Sequence, residues 1–228
     1  MEPELVFGES HAGMKSALQA KFVAGAANSI TPAWKRVIDI LGALIALVLL
    51  APAMVGIALL IRLSSRGPVI FSQLRGGQGG VPFRIYKFRT MVIDAEDRKQ
   101  ELLQRNERNG PAFKLRNDPR VTGIGRLLRR SSLDELPQFF NVLVGEMSLV
   151  GPRPLPVEEC LASQDWHLRR LAVKPGITCI WQVSGRDDSC FDSWMRQDIE
   201  YIQRHSLLLD ITLLFKTIPA VLSRRGAH

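Results

Sequence analysis

The sequence predicts a mainly helical α+β fold: a re-entrant membrane helical hairpin on the N-terminal side, then a compact cytoplasmic domain with a small β-hairpin and interfacial amphipathic helices. Three observations lead there. Residues 40–61 run for 22 positions without a charge. Four glycines between 76 and 80 separate two strand-like stretches, VIFSQLR at 69–75 and a second from Pro82 to Met91. Most of the remainder places apolar residues at helical spacing, punctuated by Pro and Gly. The expected organisation is a mobile tail at 1–33, a membrane element at 34–63 and one folded domain at 64–225.

Of the 228 residues, 46% are hydrophobic and 23% charged, which excludes a wholly disordered chain. Thirty Lys and Arg against twenty-two Asp and Glu give a net charge of +8. That balance calls for an anionic partner: nucleic acid, an anionic membrane surface or a phosphorylated substrate. Cys160, Cys179 and Cys190 are widely spaced with no accompanying Cys/His cluster, which argues against a disulfide framework and a structural zinc site.

The first stretch opens with Glu2 and Glu4 and lacks the basic start and apolar core of a secretory signal; a short helix is expected near Met14 to Phe22. The uncharged run that follows would rise about 33 Å as a helix, against a hydrocarbon core of about 30 Å. Pro52 sits at its midpoint, where it removes a helix hydrogen bond and forces a bend. Lys35 and Arg36 precede the run and Arg62 and Arg66 follow it, so the positive-inside bias assigns both ends to the cytoplasm. A re-entrant helix bent at Pro52 satisfies both details; a straight span and a buried core helix remain as alternatives.

The hairpin after Pro68 carries Arg75, Arg84, Lys87 and Arg89. Its glycines are not followed by Gly-Lys-Ser/Thr, and Gly123 and Gly125 lack the third glycine of a dinucleotide fingerprint, so neither nucleotide fold is supported. Residues 94–108 read as an exposed helix and 114–130 as the most basic stretch. An apolar helical pattern runs through Leu136, Phe139, Phe140 and Leu143. Pro152, Pro154 and Pro156 make 145–156 irregular. Further helices are expected from Val157 to Val173 and from Asp192 to about Ser223, the latter broken near His205–Ser206 or Pro219. Its last part, ended by Arg224 and Arg225, is either core-facing or lies in the lipid interface.

The chemistry centres on Asp134–Glu135. Ser132 with Glu135 matches a capping box, and a carboxylate at a helix N-terminus is favoured in its ionised form. An ionised Asp can attack phosphorus. Arg129 and Arg153 would offer forked donors to phosphate oxygens and Lys87 a point charge, with Mg²⁺ bound through carboxylates and substrate phosphates. His11, His167, His205 and His228 show no metal-ligand spacing, and Trp181 and Trp194 read as packing residues that could also stack on a base or sugar.

Several blocks, in order, carry a resemblance: Ala51-Pro52 in the apolar run, KFRTM at 87–91, NDPRVTGIGRLLRRSSLDELPQFFNVLVGEMSLVGPRP at 117–154, KPGIT at 174–178 and WQVSGR at 181–186. From about Lys35 to Arg225 the chain resembles the bacterial sugar transferases, monotopic polyprenyl-phosphate phosphoglycosyl transferases, and looks most like the short exopolysaccharide-initiating hexose-1-phosphate transferases. The resemblance implies transfer of a sugar-1-phosphate from a UDP-sugar, galactose or glucose favoured over an N-acetylhexosamine, to undecaprenyl phosphate at the cytoplasmic face of the bacterial inner membrane, releasing UMP. It implies Asp134 as nucleophile in a ping-pong scheme, Glu135 as its partner in metal or proton handling, and a Mg²⁺ requirement met by Asp134 and Glu135. Substrate contacts are expected from Lys87, Arg89, Arg129, Arg153, Gln182 and Arg186, and the bend of the membrane helix from Pro52. Cys179 stands where the family commonly has glycine, and a positive φ there would strain the backbone. A non-catalytic membrane adaptor is the competing class; the uncharged run argues against nucleic acid, and association into a homo-oligomer through the hairpin or terminal helix stays open.

Overall fold

The long apolar run lies within one helix of 32 residues. The computed structural model describes residues 4–23, 31–184 and 190–223. Helix α1 spans Glu4–Val23 and α2 spans Ala33–Ser64, continuing through Pro52. Strands β1 (Ile70–Gly76) and β2 (Pro82–Phe88) form the antiparallel hairpin. Then come α3 (Lys99–Leu102), α4 (Gly123–Arg130), α5 (Gln138–Val144), β3 (Ser148–Val150), α6 (Val157–Ala162), β4 (Gly176–Thr178), α7 (Ile180–Val183), α8 (Phe191–Arg204) and α9 (Leu207–Leu222). Short 3₁₀ turns link several of these, including Leu133–Glu135 and Asp165–Ala172.

Lys35, Asp39 and Ala43 are buried near the start of α2 and Ile57 and Ile61 near its end. The four-residue spacing puts each group on one helix face. Ala43 packs with Val142, Met147 and Leu149, whereas Ile57 and Ile61 pack with Phe88, Leu128 and Leu136. Both ends of α2 therefore rest on the same folded domain. Between and around these anchors the helix is bare: Leu49 is 72% and Leu63 84% exposed.

The two basic residues that precede the run, Lys35 and Arg36, turn inward, whereas Arg62 and Arg66 after it stay exposed. Lys35 Nζ pairs with Asp210 Oδ2 at 2.6 Å and donates to the Val150 carbonyl at 2.9 Å, with both side chains almost fully buried. The Tyr201 hydroxyl donates to the other Asp210 oxygen at 2.8 Å. Arg36 donates to the carbonyls of Val142 and Leu143 at the end of α5, at 2.6 and 2.7 Å. Asp39 accepts from Ser148 Oγ and from the Leu149 amide, both at 2.9 Å. An apolar helix carries these polar anchors because unpaired backbone carbonyls at a helix end and a buried carboxylate both need partners.

The hairpin is fixed to α5 by Asn141, which is fully buried, accepts from the Tyr86 amide at 3.1 Å and donates to the Arg84 carbonyl at 2.7 Å. Gly79 and Gly80 turn the chain between the strands with φ of 68° and 71°, values that glycine adopts without strain. The supposed irregular stretch 145–156 contains a strand: β3 pairs parallel with β4, Ser148 opposite Gly176 and Val150 opposite Thr178. Cys179 follows β4 with φ −150°, extended backbone that any residue adopts, so the anticipated strain is absent.

Other expectations are revised by packing. The mobile tail is helical, and its Leu18 and Phe22 are buried in the core with Cys160, Leu171 and Met195. Residues 94–108 form turns around the single short α3 and not one long helix. The helix expected from Val157 to Val173 breaks at Ser163–Gln164, where Gln164 and His167 cap the following 3₁₀ turn reciprocally. The last helix breaks at His205–Ser206 and runs through Pro219. Of α9, only Asp210 and Leu213 are buried, while Leu208, Phe215 and Leu222 stand exposed. Arg224, Arg225 and His228 lie outside the described residues.

Replacing Lys35 by Ala leaves Asp210 buried without its cation. Chemical or thermal unfolding of the detergent-solubilised variant should show a loss of about 3–5 kcal/mol, the size found for breaking one side of a buried pair.

Candidate active site

A cavity of about 640 Å³ opens between the hairpin, the Leu133–Glu135 turn and the chain that follows β3. Alternation along β2 puts Phe83, Ile85 and Lys87 on one face, the first two buried in the core, so the third reaches inward past the end of that core. Arg75 lies directly opposite Phe83 and thus shares this face. Thr122 caps α4 by accepting from the Gly125 amide at 2.9 Å, and the helix ends by delivering Arg129 to the cavity.

The turn into the acidic pair is abrupt. Ser132 has φ 55°, the sole positive φ at a non-glycine position among the described residues. A left-handed serine costs on the order of 1 kcal/mol and reverses the chain direction at once. The capping box expected of Ser132 and Glu135 does not form: the turn that follows is only three residues long, and Glu135 points elsewhere. Its carboxylate is gripped in a fork by Arg153, Nη1 to Oε2 at 3.2 Å and Nη2 to Oε1, and accepts from Lys87 Nζ at 2.9 Å. Arg153 is held from behind, because Arg170 donates to its carbonyl and is itself paired with Asp198 at 2.7 Å.

The two carboxylates are pushed apart in acidity. Burial raises Glu135, but Arg153 and Lys87 outweigh it and hold its carboxyl well below the usual range. Asp134 is buried too, and burial, then the neighbouring Glu135 charge, push its carboxyl from 3.8 up to about 6. Lys87, Arg129 and Arg153 oppose that rise without cancelling it. The ionised form expected from a helix N-terminus is therefore disfavoured relative to water, by burial first and by the Glu135 charge second. Among the described residues Asp134 accepts no hydrogen bond, so its oxygens remain available toward the cavity.

The structure brings Asp134, Glu135, Lys87, Arg129 and Arg153 together around the cavity, and Gln182 lines it while accepting from the Cys179 thiol at 3.2 Å. Arg129 sits beside Asp134, its Nε bonded to Thr90 Oγ1 at 3.0 Å. Arg89 also borders the cavity, but its guanidinium is committed to the end of α2, donating to Arg66 O at 2.8 Å and to Ser65 O and Oγ at 3.0 and 2.7 Å. It fastens the helix to the hairpin. Arg186 lies outside the described residues. Trp181 and Trp194 stack on each other at 4.8 Å and border the cavity beneath Arg108. Among the further charged residues that line it, Arg75 is named by the sequence only as part of the hairpin and Glu159 is not marked at all. The strand alternation that aims Lys87 inward was the available signal for Arg75; Glu159, on a short helix between prolines, had none.

A hard cation fits one of the two expected ligands. Glu135 already receives two cationic side chains on its oxygens, whereas Asp134 keeps a carboxylate facing the cavity. One carboxylate completed by substrate phosphates is the donor set that Mg²⁺ takes. No cluster of three or more His, Cys, Asp or Glu that could hold a metal occurs among the described residues.

The family model described as bacterial sugar transferase matches residues 30–224. The galactosyl transferase CpsE of Streptococcus agalactiae is 46% identical over 194 residues, covering 85% of this chain and 43% of that protein. The exopolysaccharide production protein ExoY of Rhizobium meliloti is 40% identical over 208 residues, covering 90% of this chain and 92% of its own length. An undecaprenyl-phosphate galactose phosphotransferase of Salmonella typhimurium is 42% identical over 202 residues, 85% of this chain and 41% of that one. The chain thus spans under half of the first and third relatives and nearly all of ExoY.

The raised Asp134 carboxyl has a cost for folding. The folded site holds that proton more tightly than the unfolded chain, so stability falls as pH rises from about 4 to about 6 and stays lower above. Asp134→Asn should therefore unfold at a higher temperature than the parent at neutral pH, with the difference vanishing below about pH 4.

Proposed function

Because the chain belongs to the bacterial sugar transferase family, we propose that it moves a hexose-1-phosphate from a UDP-hexose to a polyprenyl phosphate, releasing UMP and beginning an exopolysaccharide repeat unit. The observation that carries this reading is Asp134: a cavity-facing carboxylate without a hydrogen-bond donor, set among Lys87, Arg129 and Arg153. Galactose leads as the sugar, since two of the relatives above carry it in their names.

In the first half-reaction an Asp134 oxygen attacks the phosphorus that bears the sugar. The bond from that phosphorus to the UMP oxygen breaks, and UMP leaves with the electron pair. In the second, a phosphate oxygen of the polyprenyl phosphate attacks the same phosphorus, the acyl–phosphate bond breaks, and the Asp134 carboxylate is restored. Phosphoryl transfer of this kind depends on charge neutralisation and positioning more than on proton transfer. Glu135 accordingly acts as a positioning residue: with its oxygens taken by Arg153 and Lys87, it holds both cations at the edge of the nucleophile's site. Bound Mg²⁺, held by Asp134 and the substrate diphosphate, would add neutralising charge on the phosphate oxygens.

The membrane reading rests on α2. Both of its ends pack on one domain, and the outward faces of α2, α5 and α9 are apolar, with Leu49, Phe140, Leu208 and Phe215 exposed. A re-entrant α2 dipping into one leaflet, with the domain on the cytoplasmic face, suits that arrangement and delivers a lipid-borne acceptor beside the cavity.

Asp134→Asn should abolish UMP release from UDP-galactose with undecaprenyl phosphate, and mass spectrometry of the parent incubated with donor alone should locate a phosphohexose on Asp134. An adduct on another side chain overturns the mechanism. In the parent, kcat/KM should fall as pH drops through about 6, because protonating Asp134 removes the nucleophile.

A further inference from the structure

Arg75 is a cavity cation that the described contacts leave largely uncommitted. Lys87 and Arg153 are both spent on Glu135, and Arg129 Nε is bonded to Thr90. Arg75 lines the same cavity, yet its one described hydrogen bond runs from Nη1 to the Pro154 carbonyl at 3.0 Å, and its Nε is buried without a partner. Among the described residues no carboxylate lies within ion-pair distance of it. A buried guanidinium with a single neutral acceptor is costly, and an anionic ligand removes that cost. Burial holds the guanidinium down to about 10, with Glu159 offsetting part of the effect.

Its position within the cavity says which anion. Arg75 donates to the carbonyl of Pro154, the residue after Arg153, and is bridged to Pro156, which leads into the short helix that carries Glu159, whereas Arg129 comes from the end of α4, just before the turn that holds Asp134. Arg75 thus enters the cavity from the Pro154–Pro156 side. In an in-line displacement the departing oxygen lies opposite the attacking one, with the transferred phosphorus between them. When the intermediate is discharged, Asp134 becomes the leaving group, so the new attacking oxygen must enter from the face that UMP vacated.

We propose that Arg75 is a further substrate-binding residue, the shared cradle of the phosphate that leaves with the nucleotide and of the lipid phosphate that replaces it. This rests on the two-step reading above. A forked guanidinium at that point neutralises the departing UMP and then gathers the acceptor's phosphate into the same place, so that UMP and polyprenyl phosphate exclude each other.

The test measures UMP binding to the full-length protein in detergent, by calorimetry, together with KM for both substrates. Arg75→Gln should weaken UMP binding by at least about tenfold, the loss of a charge-assisted contact, and raise KM for donor and for acceptor together. Arg75→Lys retains a charge and can still donate to Pro154, so it should fold like the parent and bind UMP with intermediate affinity. Thermal unfolding identifies which variants are folded; if Arg75→Gln is not, Arg75→Lys decides. Unchanged UMP affinity in the deciding variant, or a KM effect confined to one substrate, overturns the proposal. A parent protein that releases no UMP from any UDP-sugar would instead overturn the two-step reading itself.

Discussion

Glu135 in the grip of Arg153 and Lys87 is the interaction on which the site depends. It ties three separately encoded pieces together: the inward face of β2, the turn after α4 and the chain leaving β3. Each charge in the knot would be expensive alone in a buried setting, and together they are satisfied. The knot also sets the character of its neighbour. By accepting the cations, Glu135 keeps its own negative charge, and that charge adds to burial in raising the Asp134 carboxyl, so that Asp134 holds its proton more tightly than a carboxyl in water. Two adjacent carboxyl groups thereby acquire opposite shifts in acidity.

The apolar helix is bound to this knot by a second set of buried polar contacts. Arg89 joins the end of α2 to β2, two residues beyond Lys87 in sequence. Arg36 and Asp39 join its beginning to α5 and β3, the elements on either side of Glu146 and Met147. The exposed apolar helix and the cavity consequently share their scaffold.

Much of this was legible in the chain. The glycine cluster marked the hairpin, the uncharged run marked α2, and the basic residues preceding and following Asp134–Glu135 marked a site for phosphate. What escaped was set by contacts distant in sequence. Three-residue strands pairing across the proline-rich stretch leave no alternation to read. Leu18 and Phe22 become core residues only once α6 and the turn before Val173 are in place. Lys35 reads in the sequence only as a basic flank of the uncharged run because its partner, Asp210, lies 175 residues away. The capping signature at Ser132 was misleading for a local reason: a left-handed serine cannot serve as the start of a regular helix, and here it serves as a pivot.

That distance of 175 residues between Lys35 and Asp210 bears on biogenesis. The apolar helix leaves the ribosome well before the carboxylate that neutralises its buried ammonium. Until α9 is made, the root of α2 lacks its partner charge, and burying the ammonium against β3 is costly. Closure of α9 over Lys35 then works as a clasp that fastens the start of α2 to the folded domain.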